Sequence, residues 1–210
     1  MSEIYPKGFY IDPNIKFDIN KLQSALKEVD NRVARQSPLG ERDINAICLT
    51  QVPGDPNSIT GGNVRGLFWT KPDSTYNEVQ REQPIDETKY NQFVELFEDT
   101  YFKEVYDTLC TKYQIGRIRL LWKLPRTTLS WHRDPEPRIH IPIVTNFGAR
   151  MCVDNVVHHM PADGSVWVTD NTKYHNAFNG GEEDRIHLVA TVLNFDMKLF
   201  DTDAPSISAI

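Results

Sequence analysis

Residues 129–143 read LSWHRDPEPRIHIPI, a strand-like stretch that carries His132, Asp134, Arg138 and His140 among apolar residues. Side chains alternate along a strand, so the isoleucines of RIHIPI take one face while Arg138 and His140 take the other. By the same alternation, His132 and Asp134 share a side if their stretch is extended. Ionisable groups are costly to bury without partners. The stretch is therefore either a solvated edge or the wall of a functional site.

The sequence around this stretch predicts a C-terminal half that is rich in short strands. Segments with β-branched or aromatic residues follow one another after Gly116, separated by turn residues such as Asn146, Gly148 and Gly180-Gly181. These segments are RIRLLWKLP (117–125), TTLSWH (127–132), RIHIPIV (138–144), ARMCV (149–153), SVWVT (165–169) and RIHLVATVLNF (185–195). Short strands at close spacing favour a barrel or a two-sheet jelly roll over a parallel α/β sheet.

The N-terminal half has a different character, because apolar residues repeat there at helical spacing. The predicted elements are a helix over 18–34 capped by Asp18, a strand over 44–50, a loop over 51–88 and a second amphipathic helix over about 88–112. Helices that precede the strands indicate an α+β fold in which helices flank one sheet. We predict a single domain over 1–210, with a helical and loop-rich flank over 1–112, a jelly-roll core over 113–200 and a tail over 201–210.

Composition narrows the classes of function. The chain is 40% hydrophobic and 25% charged with a formal net charge of −6, and no basic run offsets that charge. This balance argues against a nucleic-acid-binding protein, which would need clustered cations for the phosphates. Cys48, Cys110 and Cys152 lie far apart without a C-x-x-C pair, which fits a reducing compartment. With no signal-like or membrane-spanning run, we expect a soluble cytoplasmic protein that binds no membrane.

His132 and Asp134 form an H-x-D pair, and such a pair can bind one metal ion from one side. A third ligand from a distant strand would complete a facial triad with open positions, the arrangement that suits Fe(II) oxygen chemistry. The alternative is that Asp134-Pro135 simply begins a turn. The candidates for the third ligand are His140, His158, His159, His175 and His187. His140 is too near in sequence to come from a distant strand, and His158-His159 fit an exposed pair near a strand end.

His175 has a further feature, since Arg185 follows it by ten residues on the polar face of the last strand. An H-x-D pair, a distant histidine and an arginine ten residues later resemble the 2-oxoglutarate- and Fe(II)-dependent oxygenases. Within them the chain is most similar to the aspartyl/asparaginyl β-hydroxylase-like group. The resemblance lies in WHRDPEPRIHIPIVTN (131–146), GSVWVTDNTKYHNAFNGG (164–181) and EDRIHLVATV (183–192). It covers the chain from about residue 117 onward.

The resemblance implies a double-stranded β-helix (jelly-roll, cupin-like) core and a set of roles. His132, Asp134 and His175 would bind Fe(II), and Arg185 would pair with the distal carboxylate of the cosubstrate 2-oxoglutarate. Arg138 and His140 match an R-x-H element that helps to hold that cosubstrate. The implied reaction uses O2 to hydroxylate an unactivated C–H bond of an amino-acid residue in a peptide or protein, or of a free amino acid. The sequence does not distinguish a peptide from a small molecule, and it is silent on oligomeric state.

Other residues and other functions stay open. His187, Trp167, Ser130 and Asn146 are weaker candidates for lining a pocket, and Arg117 with Arg119 would by default face solvent. The 51–88 loop, with Arg65, Phe68, Trp69 and Tyr76, is either a lid over the site or an ordinary surface loop. A cupin-like metal- or ligand-binding module without turnover and a zinc hydrolase with the same ligands are the competing functions.

Overall fold

The segments predicted as strands pair into antiparallel sheets in the computed structural model, which describes residues 6–33, 44–59, 69–70, 79–80, 85–129 and 131–200. Among these residues the strands are, in chain order, β1 (Phe9–Lys16), β2 (Ile44–Cys48), β3 (Thr50–Gln51), β4 (Trp69–Thr70), β5 (Val79–Gln80), β6 (Gln92–Phe93), β7 (Ile115–Lys123), β8 (Thr127–Thr128), β9 (His132–Arg133), β10 (Arg138–Val144), β11 (Ala149–Val153), β12 (Val156–His158), β13 (Ser165–Thr169), β14 (His175–Asn179) and β15 (Arg185–Val192). The helices are α1 (Ile19–Arg32) and α2 (Tyr101–Cys110). No helix in the described part of the chain is long and apolar enough to cross a membrane.

The larger sheet has six strands in the order β1-β13-β10-β15-β7-β2. Strand alternation gives it two unlike faces. Its apolar face belongs to the main core, which the helices α1 and α2 also enter with Leu22 and Phe102. From the sheet that core takes the buried residues Ile118, Leu120, Trp122, Ile139, Ile141, Ile143, Val166, Val168, Ile186, Leu188, Ala190 and Val192. Each fully buried aliphatic side chain of this kind stabilises the fold by roughly 1.5–3 kcal/mol.

The smaller sheet contains β12-β11-β14-β9-β4-β5 in that order, with β8 paired to β14. It packs against the second face of the larger sheet. Phe9 and Trp167 of the larger sheet share an apolar cluster with Met151, Val153 and Ala177 of the smaller one. Two facing antiparallel sheets with helices on the outside confirm the predicted α+β fold with a jelly-roll core.

The first helix follows the prediction closely, and the second does not. Asp18 caps α1 by accepting hydrogen bonds from the backbone N–H groups of Asn20 and Lys21. The helix predicted over 88–112 is limited to Tyr101–Cys110, and the residues before it form β6 and a 3₁₀ turn at Glu95–Phe97. The difference has a physical cause, because Phe93 pairs with Thr50 and tertiary pairing overrides local helix propensity.

The structure adds strands that the sequence pattern did not predict. β1 pairs with β13 at one edge of the larger sheet, and the predicted strand β2 pairs with β7 at the other edge. The N-terminal part of the chain therefore supplies both edge strands of this sheet. Of the 51–88 loop, β4 pairs with β9, which places its backbone next to His132.

Candidate metal and carboxylate site

Three of the sequence-predicted residues meet at one point of the smaller sheet. β9 and β14 pair so that His132 lies opposite His175, and their ring centroids are 4.2 Å apart. Asp134 follows two residues after His132, at the end of β9. One ligand atom from each of the three residues lies within 4.8 Å of the other two. The structure thus brings the H-x-D pair and the distant histidine into reach of a single metal ion.

The ring of His175 is held in one tautomer. Its Nδ1 lies 3.0 Å from the carbonyl oxygen of Lys173, which can only accept, so Nδ1 carries the proton. Burial, and next the neighbouring His132, lower the pKa of His175 to about 3, so the ring is neutral at physiological pH. The lone pair is therefore on Nε2, which lies 4.0 Å from Oδ2 of Asp134. This is the atom that a metal ion would take.

Asp134 is held ionised by its surroundings. Burial alone would raise the pKa of its carboxyl group, but the guanidinium of Arg138 outweighs that effect and the pKa is lowered. Arg138 Nη2 lies 3.1 Å from Asp134 Oδ2. The backbone N–H of Asp134 donates to the carbonyl oxygen of Asn171 at 2.7 Å, which fixes the residue from the main chain. Two imidazoles and one carboxylate form the donor set of the 2-His-1-carboxylate facial triad, which suits Fe(II).

Arg185 lies on the inner face of the larger sheet and is 5% exposed. Its Nη2 lies 2.8 Å from Nδ1 of His187, a neutral partner. Among the described residues no carboxylate forms an ion pair with it. Burial lowers the pKa of Arg185 to about 9, and no neighbouring acid offsets that effect. A buried guanidinium without a local anion indicates a site for an anionic ligand.

His140 lies on the inner face of the larger sheet, where β10 pairs it with Val189 of β15, the strand that begins with Arg185. Burial lowers the pKa of His140 well below its ordinary value, and the charge of Arg185 acts in the same direction. Its ring faces that of His187 edge-on, with centroids 5.7 Å apart. Within the described part of the chain, neither ring nitrogen of His140 has a hydrogen-bond partner, and nor does Nε2 of His187. Buried polar atoms in this state indicate that a polar ligand belongs in the space they line.

Arg138 reaches the cluster from the larger sheet. It is buried and pairs with both Asp134 and Glu136, each at 3.1 Å. Burial alone would lower its pKa, but the carboxylates of Asp134, Glu87 and Glu136 raise it, so Arg138 is charged. In this structure the guanidinium holds a metal-ligand candidate, while its part in holding a cosubstrate stays a prediction.

Two arginines that were expected to face solvent are instead buried. Arg117 and Arg119 are 0% and 8% exposed on the inner face of β7, so the expectation of a solvated rim was wrong. Glu87 makes the burial of Arg117 possible: its carboxylate accepts from Arg117 Nη2 at 2.6 Å and from the Arg117 backbone N–H at 3.0 Å. Burial alone would raise the pKa of Glu87, but Arg117 dominates and lowers it to about 2. On the same face, Lys123 lies opposite Arg185 in the pairing of β7 with β15.

Sequence reasoning missed Glu87 and Asn171. Glu87 stands in a polar stretch, PIDETK, that reads as surface loop, and Asn171 stands in a D-N-T turn. The structure shows Asn171 3% exposed, with its Nδ2 at 2.8 Å from Nε2 of His175. A spacing of four residues from a metal-ligand candidate was the only available signal, and it is a weak one.

The weaker candidates for lining a pocket fall into two groups: residues that contribute to packing or to a turn, and residues outside the part of the chain that the structure describes. Trp167 packs in the apolar cluster between the sheets, with its ring 4.9 Å from that of His158. Asn146 donates to the side chain of Asn179 at 3.0 Å and belongs to the glycine-turn network. Ser130, Arg65, Phe68 and Tyr76 lie outside the described residues, and Trp69 is described only as part of β4.

A family model and several solved structures are similar to this chain, and they agree on the type of fold. The family model described as Aspartyl/Asparaginyl beta-hydroxylase matches residues 77–194, which is more than half of the 210 residues. None of the curated proteins matches the chain. Among solved structures, a prolyl hydroxylase from Trichoplax adhaerens, in complex with a peptide fragment of the hypoxia inducible factor oxygen degradation domain, is 12% identical with a TM-score of 0.50, over 92% of this chain and 86% of that one.

Two further structures are similar at a comparable level. A prolyl-4-hydroxylase from Pseudomonas putida is 12% identical with a TM-score of 0.49, over 90% of this chain and 94% of that one. An oxidoreductase of the 2OG-Fe(II) oxygenase family from Burkholderia pseudomallei is 18% identical with a TM-score of 0.47, over 88% of this chain and 84% of that one. At identities this low, structural likeness concerns the fold, and the prolyl hydroxylase from Trichoplax adhaerens shares it with this chain.

Proposed function

Because the chain belongs to the aspartyl/asparaginyl β-hydroxylase family, we propose that it is a non-haem Fe(II)- and 2-oxoglutarate-dependent dioxygenase. Its reaction would hydroxylate an unactivated C–H bond of an amino acid, either within a peptide or protein or as the free molecule. The observation that carries this proposal is the pairing of two features on facing sheets. A three-residue metal-ligand set lies on one side, and a buried arginine without a described carboxylate partner lies on the other.

The metal would be held by His132, Asp134 and His175. These residues supply two imidazole nitrogen donors and one carboxylate oxygen, and a facial set of three leaves further coordination positions for other ligands. When bound, Fe(II) would supply the activation of O2 and the oxidation of the C–H bond. The protein itself would orient two of the three donors, His175 through the carbonyl oxygen of Lys173 and Asp134 through the carbonyl oxygen of Asn171.

The cosubstrate would be held by Arg185 and the histidines beside it. A guanidinium matches the two oxygens of a carboxylate with parallel N–H donors, so the distal carboxylate of 2-oxoglutarate fits Arg185. His140 and His187 have ring nitrogens without described partners and would supply further hydrogen bonds along the cosubstrate. A dianion bound here would also offset the cost of burying Arg185, whose pKa is lowered by burial alone.

The substrate is proposed only at the level of its class. The Trichoplax adhaerens neighbour is a prolyl hydroxylase in complex with a peptide, which supports an amino-acid substrate presented by a peptide as one alternative. A free amino acid is the other. The backbone of Trp69–Thr70 pairs beside His132, so we propose that this two-residue segment lies next to the path by which the substrate approaches.

The proposal is tested by anaerobic addition of Fe(II) and 2-oxoglutarate to the metal-free protein. Chelation of the metal by 2-oxoglutarate gives a metal-to-ligand charge-transfer absorption, and we expect the wild-type protein to show it. His132→Ala and His175→Ala should lose the absorption, because each removes one of three metal donors. His159→Ala is the matched control, since its ring bonds the backbone of Ala149 outside the cluster. Wild-type absorption that survives either ligand substitution would contradict the site.

The competing functions give different outcomes in the same experiment. A cupin-like binding module or a zinc hydrolase would bind zinc tightly and would not develop the charge-transfer absorption with 2-oxoglutarate. Where the absorption is present, the chain should be supplied with O2 and with amino acids or peptides. The decisive product is a substrate that gains the mass of one oxygen atom while succinate accumulates. If succinate forms but none of the tested compounds gains an oxygen atom, the metal and cosubstrate assignments stand and the tested compounds are rejected as substrates.

A further inference from the structure

Asn171 contacts the two parts of the metal-ligand set that come from different regions of the chain. Its carbonyl oxygen accepts the backbone N–H of Asp134 at 2.7 Å, and its side-chain Nδ2 lies 2.8 Å from Nε2 of His175. Both contacts are buried, since Asn171 is 3% exposed. One residue outside the ligand set therefore ties Asp134 to His175.

The direction of the side-chain hydrogen bond is determined by its neighbours. The hydroxyl group of Thr169 donates to Oδ1 of Asn171 at 2.5 Å, so the NH2 group of the amide points toward His175. His175 carries its proton on Nδ1, which faces the Lys173 carbonyl, so Nε2 has a lone pair to offer. Asn171 thus donates an N–H to the nitrogen that the proposed metal needs.

One lone pair cannot accept this N–H and bind a metal ion at the same time. A metal ion that takes His175 Nε2 must displace the amide, and the displaced donor would be left buried without a partner. An acceptor is close at hand, because the carboxylate of Asp134 lies 4.0 Å from His175 Nε2 and has a second oxygen atom. Ligating carboxylates are commonly held by hydrogen bonds of this kind.

We propose that Asn171 is a positioning residue with two states: its amide occupies His175 Nε2 in the metal-free protein and donates to the Asp134 carboxylate once a metal is bound. This inference rests on the proposed function through the metal site, and it goes beyond that function by assigning the amide a part in metal entry and retention. The first state opposes entry of the metal, and the second opposes its loss.

The test measures both rates with Co(II) as the probe, using stopped-flow absorption for association and transfer to a chelator for dissociation. Asn171→Leu removes the donor while keeping a side chain of similar size. We expect association to become about fivefold faster, the factor that one hydrogen bond is typically worth. Dissociation should become about tenfold faster or more, as for loss of a partner outside the ligand set. Both rates must rise, and any other pattern would overturn the proposal.

Two further variants keep the test interpretable. Thr169→Val removes the hydroxyl that orients the amide, so both rates should rise by a smaller factor, and this variant decides the matter if Asn171→Leu does not fold. Thr172→Val is the matched control: its hydroxyl bonds Asp170 in the same turn without touching a ligand, and both rates should stay at the wild-type values. A lower melting temperature with unchanged rates would show a structural tie only. Failure of the wild-type protein to bind Co(II) would overturn the metal site itself.

Discussion

At the scale of single residues, Arg185 is the most informative side chain of the proposed site. Arg185→Leu should weaken 2-oxoglutarate binding by an amount of order 2–5 kcal/mol, because the distal carboxylate would be left buried and unpaired. Anaerobic calorimetry with a metal-loaded protein measures this loss. Arg150→Leu is a matched control, since that guanidinium stacks on Phe147 at 4.4 Å, away from the metal-ligand candidates. An unchanged affinity in Arg185→Leu would move the carboxylate site elsewhere.

The residues that sequence analysis found and those it missed differ in the kind of information they need. The H-x-D spacing singled out His132 and Asp134, whereas the roles of His175 and Arg185 were implied by the family resemblance, and the family match confirms that resemblance. Asn171 could not be found in this way, because its contacts depend on how a turn folds back over β14. Strand periodicity predicts which face a side chain takes, but it does not predict which loop residue covers that face.

At the scale of elements, a buried ion pair joins the C-terminal end of the 51–88 loop to β7, which lies between β15 and β2 in the larger sheet. Glu87 begins the 3₁₀ turn Glu87–Lys89, and its carboxylate holds Arg117. Glu87→Gln should destabilise the protein by about 3–5 kcal/mol, because it leaves a buried guanidinium without its counter-charge. Urea unfolding measures the free energy of unfolding, and Glu95→Gln in the neighbouring exposed turn should change it little.

A second substitution separates lost charge balance from lost packing. Replacing both partners, as Glu87→Gln with Arg117→Met, should recover much of the stability, because no uncompensated charge is then buried. A double variant as unstable as Glu87→Gln alone would contradict this explanation. The pair also illustrates why the element was misjudged from sequence. A polar stretch reads as surface, and only the pairing of Glu87 with a buried arginine across the fold reveals otherwise.

At the scale of the whole molecule, the net charge of the chain does not describe the charges buried inside it. The chain carries a net charge of −6, yet the inner face of the larger sheet holds a cluster of buried cations. These are Arg117, Arg119, Lys123, Arg138 and Arg185. Clustered cations in a space of low dielectric attract anions locally, whatever the overall charge. Composition argued against a nucleic-acid partner, whereas the buried Arg185 is the observation that supports the proposal of a small anionic ligand.

A half-buried neutral histidine, His158, should make the stability of the whole molecule fall below pH 6.5. His158 lies between Phe9 and Trp167, and burial, followed by His159, lowers its pKa to about 4. Between that value and the ordinary 6.5, the imidazole of His158 is protonated in the unfolded chain but neutral in the folded protein. The free energy of unfolding therefore decreases as the pH falls through this range. After a discount for its partial exposure, the loss of stability from His158 at pH 5 is roughly 1 kcal/mol.

Melting temperatures measured at pH 7 and pH 5, with a chelator present, should show this decline. The decrease should be smaller for His158→Phe than for the wild-type protein, by roughly 2–4 °C. Equal pH sensitivity in the two proteins would contradict the assignment of a neutral His158.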